Sequence, residues 1–140
     1  MLDSHALKKI KVRDFTTDCP ITANRDDLLS NIILIMEKDN IRHLPIVDGK
    51  DLVGLISQRD ILKILAKHAS RDLKAFEFMT LTPYTVKDDA SLDEVAFSMS
   101  QHKIGSAVVV DSNLEIVGIF TTTDALNALI DICRGDVETE

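Results

Sequence analysis

The sequence predicts an α+β fold made of two β-α-β-β-α units, and three observations support this prediction. The segment GLISQRD at residues 54–60 recurs as GIFTTTD at residues 118–124. The residues upstream of both segments also align, at an offset of 63 or 64 positions. The chain has 140 residues, and a unit of about sixty residues buries too little apolar surface to be stable alone. We therefore expect the two copies to pack face to face about a pseudo-twofold axis.

Each copy opens with a short threonine-containing strand and continues into an amphipathic helix. The aligned residues of the opening segments are Thr16, Pro20, Thr22 and Asp26, and Thr80, Pro83, Thr85 and Asp89. The aligned apolar residues of the helices are Leu29, Ile32, Ile33 and Met36, and Leu92, Val95, Ala96 and Met99. Both helical sets have the i, i+3, i+4, i+7 spacing of a single helical face.

A hairpin and a second helix complete each copy. The predicted hairpin strands are IRHLPIVD (41–48) and LVGLIS (52–57), and IGSAVVVD (104–111) and EIVGIFT (115–121). The glycine inside each returning strand, Gly54 or Gly118, indicates that another part of the chain passes close to the backbone. We expect the second helices to begin at about Asp60 and Asp124.

The junction between the copies contains no glycine or proline from Lys67 to Phe78, which predicts a helix end and a short connection rather than a flexible linker. The predicted organisation is a helical lead-in at 1–11, repeat one at 12–68, a connection at 69–76, repeat two at 77–132 and a tail at 133–140.

The second helix of each copy is apolar on more than one stripe. Its apolar residues are Ile61, Leu62, Ile64 and Leu65 in the first copy, and Ala125, Leu126, Ala128, Leu129, Ile130 and Ile132 in the second. One stripe can face the core, so the surplus predicts a further surface to be covered. We expect a homodimer built on these helices.

Composition excludes several classes of function. A formal net charge of −7 works against binding to a phosphate backbone, so no nucleic-acid partner is predicted. The apolar runs are far shorter than the roughly 20 residues that span a bilayer, so we expect no membrane insertion. The opening residues, MLDSHALKKIKV, lack the apolar run of a secretory signal, which predicts a cytoplasmic protein.

No pattern typical of an enzyme is present. Cys19 and Cys133 have no close partner and no ligand cluster, so neither a disulfide nor a metal site is predicted. The chain contains no phosphate-binding G-x-x-x-x-G-K-[ST] loop and no G-x-S-x-G motif. Because Ser57 and Asp60 are already required at a helix start, a triad of these residues with His43 is disfavoured. We expect no catalytic activity.

The repeated cassette, Ser57-x-x-Asp60 and Thr121-x-x-Asp124, has two interpretations. The structural one is a capping box, in which the hydroxyl and the carboxylate each accept a hydrogen bond from a backbone N–H at the helix start. The functional one uses the same helix start as a site for a phosphate, with the carboxylate accepting hydrogen bonds from the two hydroxyls of a ribose.

The sequence resembles a tandem pair of cystathionine beta-synthase (CBS) domains, together called a Bateman module, over about residues 12 to 130. The stretches that carry the resemblance are T-x(3)-PIT and TLTPYTV, the helix from Leu29 to Met36, IRHLPIVDGKDLVGLISQRDIL, and IGSAVVVDSNLEIVGIFTTTDAL. The resemblance implies regulatory binding of AMP, ADP, ATP or S-adenosylmethionine in the clefts between the repeats.

The resemblance also implies roles for individual residues. Asp60 and Asp124 would hold the ribose hydroxyls, and Ser57 and Thr121 would contact ribose or phosphate. The backbone of the first strand of each repeat would recognise the base, and Pro45 and Val108 would form apolar walls. The backbone stretches concerned are Ile21, Thr22 and Ala23, and Tyr84, Thr85 and Val86.

The two copies differ in charge beside the cassette. Arg42, His43 and Arg59 can all reach phosphate oxygens in the first copy. The second copy has Gly105, Ser106 and Thr122 or Thr123 in the corresponding places, without a cation. We therefore expect a phosphate-rich nucleotide to prefer the first site.

The sequence is compatible with two functions. In the first, the protein is a ligand sensor that signals to a separate, unidentified protein partner. In the second, it is a dimeric interaction scaffold without a small-molecule ligand, and both cassettes only cap helices.

Overall fold

The computed structural model describes residues 3–19, 21–67 and 72–136. Pro20, the beginning of the predicted connection and the end of the predicted tail lie outside these residues. The described strands are β1 Thr17–Asp18, β2 Ala23–Asn24, β3 His43–Asp48, β4 Asp51–Ser57, β5 Thr80–Leu81, β6 Thr85–Lys87, β7 Ser106–Val110 and β8 Ile116–Thr121. The described helices are α1 Ser4–Leu7, α2 Leu29–Lys38, α3 Gln58–Lys67, α4 Leu92–His102 and α5 Thr122–Arg134.

The strands form two four-stranded sheets, in the orders β1-β8-β7-β6 and β2-β3-β4-β5. In each sheet a hairpin supplies the antiparallel centre, and the strand that precedes the amphipathic helix pairs with it in parallel. The predicted α+β class and the repeated order of elements are confirmed.

The compact units divide the chain differently from the sequence repeats. One unit holds residues 21–83, and the other holds residues 1–20 together with 84–140. The short strand that opens each repeat therefore belongs to the sheet of the other repeat: β1 pairs with β8, and β5 pairs with β4. Each sheet gains its fourth strand by this exchange.

Backbone hydrogen bonds at the helix starts stabilise the exchange. Neither Leu28 nor Ser91, the residues before α2 and α4, caps its helix with a side chain. Instead, the N–H of Leu29 donates to the carbonyl of Leu73 at 2.7 Å, and the N–H of Leu92 donates to the carbonyl of Ile10 at 2.9 Å. Because the first N–H groups of a helix have no partner within it, the segment leading into the other repeat satisfies them here.

Each unit has its own core on one face of its sheet. The unit of residues 21–83 buries the apolar side of α2 against alternate residues of β3 and β4, which include Leu44, Ile46 and Ile56. The other unit packs α4 and α5 against Ala107, Val109 and Phe120. The helical stripe predicted from the sequence therefore faces the core in both copies.

The two strand glycines lie where the exchanged segments cross. A Cβ at Gly118 would clash with the carbonyl oxygen of Thr17, and a Cβ at Gly54 would clash with the sulfur of Met79. The predicted close approach is confirmed at both positions. The two obstacles differ, because a backbone carbonyl held in a sheet is fixed whereas a methionine side chain can move.

We expect Gly118→Ala to destabilise the protein by about 2 kcal/mol, and Gly54→Ala by less, because overpacking costs most where the neighbour cannot shift. Gly105→Ala is the matched control, since a Cβ there meets nothing within 4 Å. Urea denaturation measures all three variants. Equal midpoints for Gly118→Ala and Gly105→Ala would contradict the prediction.

Candidate ligand site

Both copies of the cassette lie at the junction of a returning strand and the following helix. The helices begin at Gln58 and Thr122, two residues before the positions expected from the sequence. Asp60 and Asp124 are therefore third residues of their helices rather than first residues. Ser57 and Thr121 end their strands and occupy the position immediately before each helix.

Each cassette forms a capping box. The N–H of Ser57 donates to Oδ2 of Asp60 at 2.9 Å, and the N–H of Asp60 donates to Oγ of Ser57 at 3.1 Å. In the second cassette the corresponding distances are 2.8 Å and 3.3 Å. Both cassettes therefore cap their helices, as the structural interpretation predicts. Any further hydrogen bond to the junction depends on the acceptor sites of the carboxylate that the cap does not use.

The two carboxylates differ in that remaining capacity. Oδ1 of Asp124 accepts a hydrogen bond from Oγ1 of Thr17 at 3.0 Å, and the Asp124 side chain is only 8% exposed. Asp60 is half-buried, and within the described residues its Oδ1 accepts no hydrogen bond. The first cassette therefore presents an open acceptor, whereas the second is occupied by the protein itself.

Thr17 is a site residue that sequence reasoning missed. It lies 107 positions before Asp124 and reaches it only because β1 joins the sheet of the other repeat. Thr80 is in the equivalent register on β5, although the sequence alignment pairs it with Thr16, and among the described residues no hydrogen bond joins Thr80 to Asp60. No local pattern in the sequence distinguishes the two threonines.

The basic residues of the first copy have backbone positions next to its cassette. His43, which is half-buried, lies opposite Ser57 in the antiparallel pairing of β3 and β4. The carbonyl of Arg42 accepts a hydrogen bond from the N–H of Gln58 at 2.9 Å, which places Arg42 beside the start of α3. Arg42 and Arg59 are both exposed, and no ion pair joins either guanidinium to another described residue.

The remaining residues predicted for the first site belong to the same unit. Ala23 is buried and pairs in parallel with Ile46, so Ile21 and Thr22 precede that pairing at the edge of the sheet. Pro45 lies opposite Leu55 and is fully buried. Its role as a wall for a ligand stays a prediction.

The second copy has the same framework without the cations. Thr85 and Val86 of β6 pair with Val108 and Val109, and the N–H of Val108 donates to the carbonyl of Tyr84 at 2.8 Å. Ser106 lies opposite Thr121, as His43 lies opposite Ser57. Val108, like Pro45, is fully buried.

The carbonyl of Gly105 takes the place that the carbonyl of Arg42 has in the first copy. It accepts from the N–H of Thr122 at 3.1 Å and from the hydroxyl of Thr122 at 3.3 Å. Thr122 thus uses both its N–H and its hydroxyl at the second junction, and the residue in its place at the first junction is Gln58. The difference predicted from the sequence persists in three dimensions as a difference in charge.

The cysteines, the possible metal ligands and the helix lengths of the described residues bear on metal binding and membrane insertion. Cys19 is buried and Cys133 is exposed. No group of three or more His, Cys, Asp or Glu side chains within the described ranges could hold a metal ion. The described helices are all too short or too polar to cross a bilayer.

Two units of equal topology, each with one cassette at a strand-to-helix junction, define a tandem-repeat α+β protein. The sequence profile of the CBS domain matches residues 12–67 and 74–131. The chain belongs to the CBS-domain family, and the resemblance inferred from the repeated cassette is confirmed.

Several solved structures share this fold. A crystal structure assigned to an acetoin utilization protein (AcuB) from Vibrio cholerae has a TM-score of 0.79 and 37% identity, covering 93% of this chain and 98% of that one. The CBS domain pair of protein MJ0100, solved with 5-methylthioadenosine and S-adenosyl-L-methionine, has a TM-score of 0.75 and 36% identity, with coverages of 86% and 99%. CBSX2 in complex with AMP has a TM-score of 0.72 and 25% identity, with coverages of 89% and 98%.

A curated relative extends well beyond the region it shares with this chain. L-aspartate semialdehyde sulfurtransferase from Methanocaldococcus jannaschii is 40% identical over 115 residues, which are 81% of this chain but 22% of the relative. The chain thus spans about a fifth of that enzyme's length. The similarity concerns the CBS region, and the enzyme's name describes the longer protein.

Proposed function

We propose that this protein is a regulatory module that binds an adenosyl ligand at the first cassette and signals to a separate protein partner. The observation that carries the proposal is the carboxylate of Asp60. One of its oxygens caps α3, and the other accepts no hydrogen bond within the described residues. It therefore offers an acceptor at a helix start, beside the two exposed cations Arg42 and Arg59.

The arrangement suits a nucleoside phosphate. The two adjacent hydroxyls of a ribose can both donate to a carboxylate, and each hydrogen bond to a charged group contributes roughly 1.5 to 3 kcal/mol. The N-terminus of α3 favours an anion, and the arginines can donate to phosphate oxygens. Sugar and phosphate would be held at one junction, while the backbone of residues 21–23 would meet the base.

The ligands of the related structures support the chemical class. Protein MJ0100 binds 5-methylthioadenosine and S-adenosyl-L-methionine, and CBSX2 binds AMP. These three molecules share an adenosine group and differ in what is attached to its 5′ carbon. The proposed ligand of this chain is accordingly AMP, ADP, ATP or S-adenosylmethionine.

The proposed output is a change in conformation or assembly that a partner protein detects. A ligand can shift an equilibrium between two states only by its difference in affinity for them. We propose a cytoplasmic homodimer as the species that responds, and a regulatory rather than catalytic role.

The two capping boxes favour a second candidate function. Because each cassette is already satisfied as a helix cap, the protein could be a dimeric scaffold without a ligand. Thermal stability separates the two candidates. A ligand that binds only the native state stabilises it by about 2.7 kcal/mol at a concentration one hundred times its Kd.

The experiment is a thermal-shift panel of AMP, ADP, ATP, NAD and S-adenosylmethionine, followed by calorimetry with any molecule that raises the Tm. We expect at least one adenosyl molecule to raise the Tm and to titrate with one dominant site per chain. If none of the five molecules raised the Tm, the sensor function would be contradicted and the scaffold function would be favoured. Two sites of equal affinity would contradict the expected preference for the first cassette.

Neutralising Arg42 and Arg59 should separate phosphate recognition from adenosine recognition. We expect the variant Arg42→Gln/Arg59→Gln to weaken ATP binding by at least about tenfold, because each lost hydrogen bond to a charged group contributes roughly 1.5 to 3 kcal/mol. Binding of 5-methylthioadenosine, which has no phosphate, should change little. Calorimetry with both ligands measures the difference, and Arg13→Gln, an exposed arginine of the other unit, is the control. Equal losses for both ligands would contradict a phosphate role.

A further inference from the structure

We propose that the side chains around Arg25 determine which of two similar segments docks on the turn before α2. The two segments are residues 10–14 and 73–77, which precede the exchanged strands β1 and β5. Segment 73–77 docks on the turn of residues 25–29, and segment 10–14 docks on the turn of residues 88–92. The proposal concerns how the folded chain selects a segment, and it is independent of the proposed ligand.

The backbone contacts are the same in both dockings. Three hydrogen bonds hold each segment to its turn. On one turn the N–H groups of Leu29, Ala75 and Phe76 donate to the carbonyls of Leu73, Asp27 and Arg25, at 2.7, 2.8 and 3.0 Å. On the other turn the N–H groups of Leu92, Val12 and Arg13 donate to the carbonyls of Ile10, Ala90 and Asp88, at 2.9, 2.9 and 3.2 Å. Because every donor and acceptor has its counterpart at the aligned position, the backbone does not distinguish the two segments.

The buried residue of each segment differs in volume. Val12 and Ala75 occupy equivalent positions, and both are fully buried at 0% exposure. Val12 in the place of Ala75 would overpack its surroundings, and Ala75 in the place of Val12 would leave a cavity. Side-chain volume therefore favours the observed dockings.

The next residue of segment 73–77 is an aromatic residue in contact with a cation. The guanidinium of Arg25 lies over the ring of Phe76, with Cζ 4.9 Å from the ring centroid. The same guanidinium pairs with Asp48, with 3.8 Å between Nη1 and Oδ2. A cation over an aromatic ring is attracted by the negative face of the ring. Arg25 thus has two favourable contacts when segment 73–77 is docked.

The other docking has a different arrangement of charges at the aligned positions. Arg13 stands in the place of Phe76, Asp88 in the place of Arg25, and Asp111 in the place of Asp48. The N–H of Arg13 donates to the carbonyl of Asp88, so the two oppositely charged residues are neighbours. Within the described residues their side chains form no ion pair, so the attraction between them acts over a longer distance.

An exchange of the two segments would be unfavourable at both turns. Arg13 would bring a second cation to Arg25 in the place of an aromatic ring. Phe76 would take the cation of the segment away from Asp88. Discrimination between similar partners depends on the penalty for the wrong partner as well as on the contacts of the right one. The charges therefore act in the same direction as the volumes of Val12 and Ala75.

Native-state hydrogen exchange tests the selection without any ligand. We expect Phe76→Arg to lower the protection factors of the N–H groups at positions 75 and 76 by about fivefold to tenfold. The substitution replaces a cation–π contact by like-charge repulsion, and each of these changes contributes a factor of about two to five. The N–H groups of Val12 and Arg13 should keep their protection, because the opening is local. Arg25→Asp in the same chain should restore the protection, since the pair then reproduces Asp88 and Arg13.

Phe76→Leu is the matched control, because it keeps an apolar side chain and introduces no charge. We expect this variant to lose protection by about twofold to fivefold, through the lost cation–π contact alone, and Arg25→Asp to give no recovery in it. Equal losses for Phe76→Arg and Phe76→Leu, or no recovery of Phe76→Arg by Arg25→Asp, would overturn the proposal. A loss of the same size at Val12 and Arg13 would also overturn it, because it would indicate unfolding of the whole protein rather than release of one segment.

The reciprocal substitutions give a second test in the other unit, which does not depend on the folding of Phe76→Arg. We expect Asp88→Arg to lower the protection of the N–H groups at positions 12 and 13 by about threefold to tenfold, through repulsion from Arg13 and the loss of an attraction. Arg13→Phe in the same chain should restore the protection, since the pair then reproduces Arg25 and Phe76. Additive effects of the two substitutions would contradict the proposal. Since no ligand is present in these measurements, their failure would leave the proposed function unaffected.

Discussion

Asp60→Asn should weaken binding of AMP, ATP or S-adenosyl-L-methionine by at least about tenfold while leaving the helix start of α3 nearly intact. The amide oxygen of asparagine can still accept from the N–H of Ser57, so the cap persists. The other position becomes an NH₂ donor that faces the ribose hydroxyls in place of an acceptor. Loss of one or two charge-assisted hydrogen bonds accounts for the size of the effect.

Calorimetry on wild type, Asp60→Asn and Asp124→Asn measures this prediction. We expect Asp124→Asn to bind nearly as tightly as wild type, because Asp124 is engaged by Thr17 and has no open acceptor comparable with that of Asp60. A larger loss for Asp124→Asn would assign the ligand to the second cassette. Unchanged binding in both variants would show that neither carboxylate contributes to ligand binding.

Asp124→Ala should reduce the free energy of unfolding by about 2 to 3 kcal/mol, more than Asp60→Ala, for which about 1 kcal/mol is expected. Removing either carboxylate deletes a helix cap, which is typically a loss of about 1 kcal/mol. Removing Asp124 also deprives the hydroxyl of Thr17 of its acceptor. Asp124 is 8% exposed, so water replaces its contacts poorly.

A double-mutant cycle identifies the source of that difference. Thr17→Val keeps the shape of the side chain and removes its hydroxyl, and it is measured by urea denaturation alone and combined with Asp124→Ala. We expect a coupling energy of about 1 kcal/mol between the two positions. Thr80→Val with Asp60→Ala is the matched control, and no coupling is expected there. Additive effects at positions 17 and 124 would show that the hydrogen bond contributes nothing to stability.

The elements of the fold were predictable because their signals are local and occur twice. The spacing of Leu29, Ile32 and Met36 predicts a helix, and the structure buries all three residues. The cassette predicts a helix start, and both capping boxes are present. The error of two residues in the helix starts arises because the capping residue lies just outside the helix and the carboxylate lies in its first turn.

The exchange of the opening strands was not predictable from the same patterns. The sequence patterns predict a short strand at the opening of each repeat but do not identify its partner, and pairing with the hairpin of the same repeat is the simpler expectation. The glycines at 54 and 118 indicated a close approach, but they did not identify which segment approaches.

The sequence by itself determined the repeated elements, the two cassettes and the absence of basic residues beside the second cassette. Each of these features depends on residues that are close together in the sequence. Only the tertiary structure decided that the hydroxyl of Thr17 donates to Asp124, while Oδ1 of Asp60 accepts no hydrogen bond from the described residues. The physical reason is that a hydrogen bond between residues 107 positions apart depends on which strand completes which sheet. The carboxylates of two corresponding cassettes thereby acquire different hydrogen-bond partners.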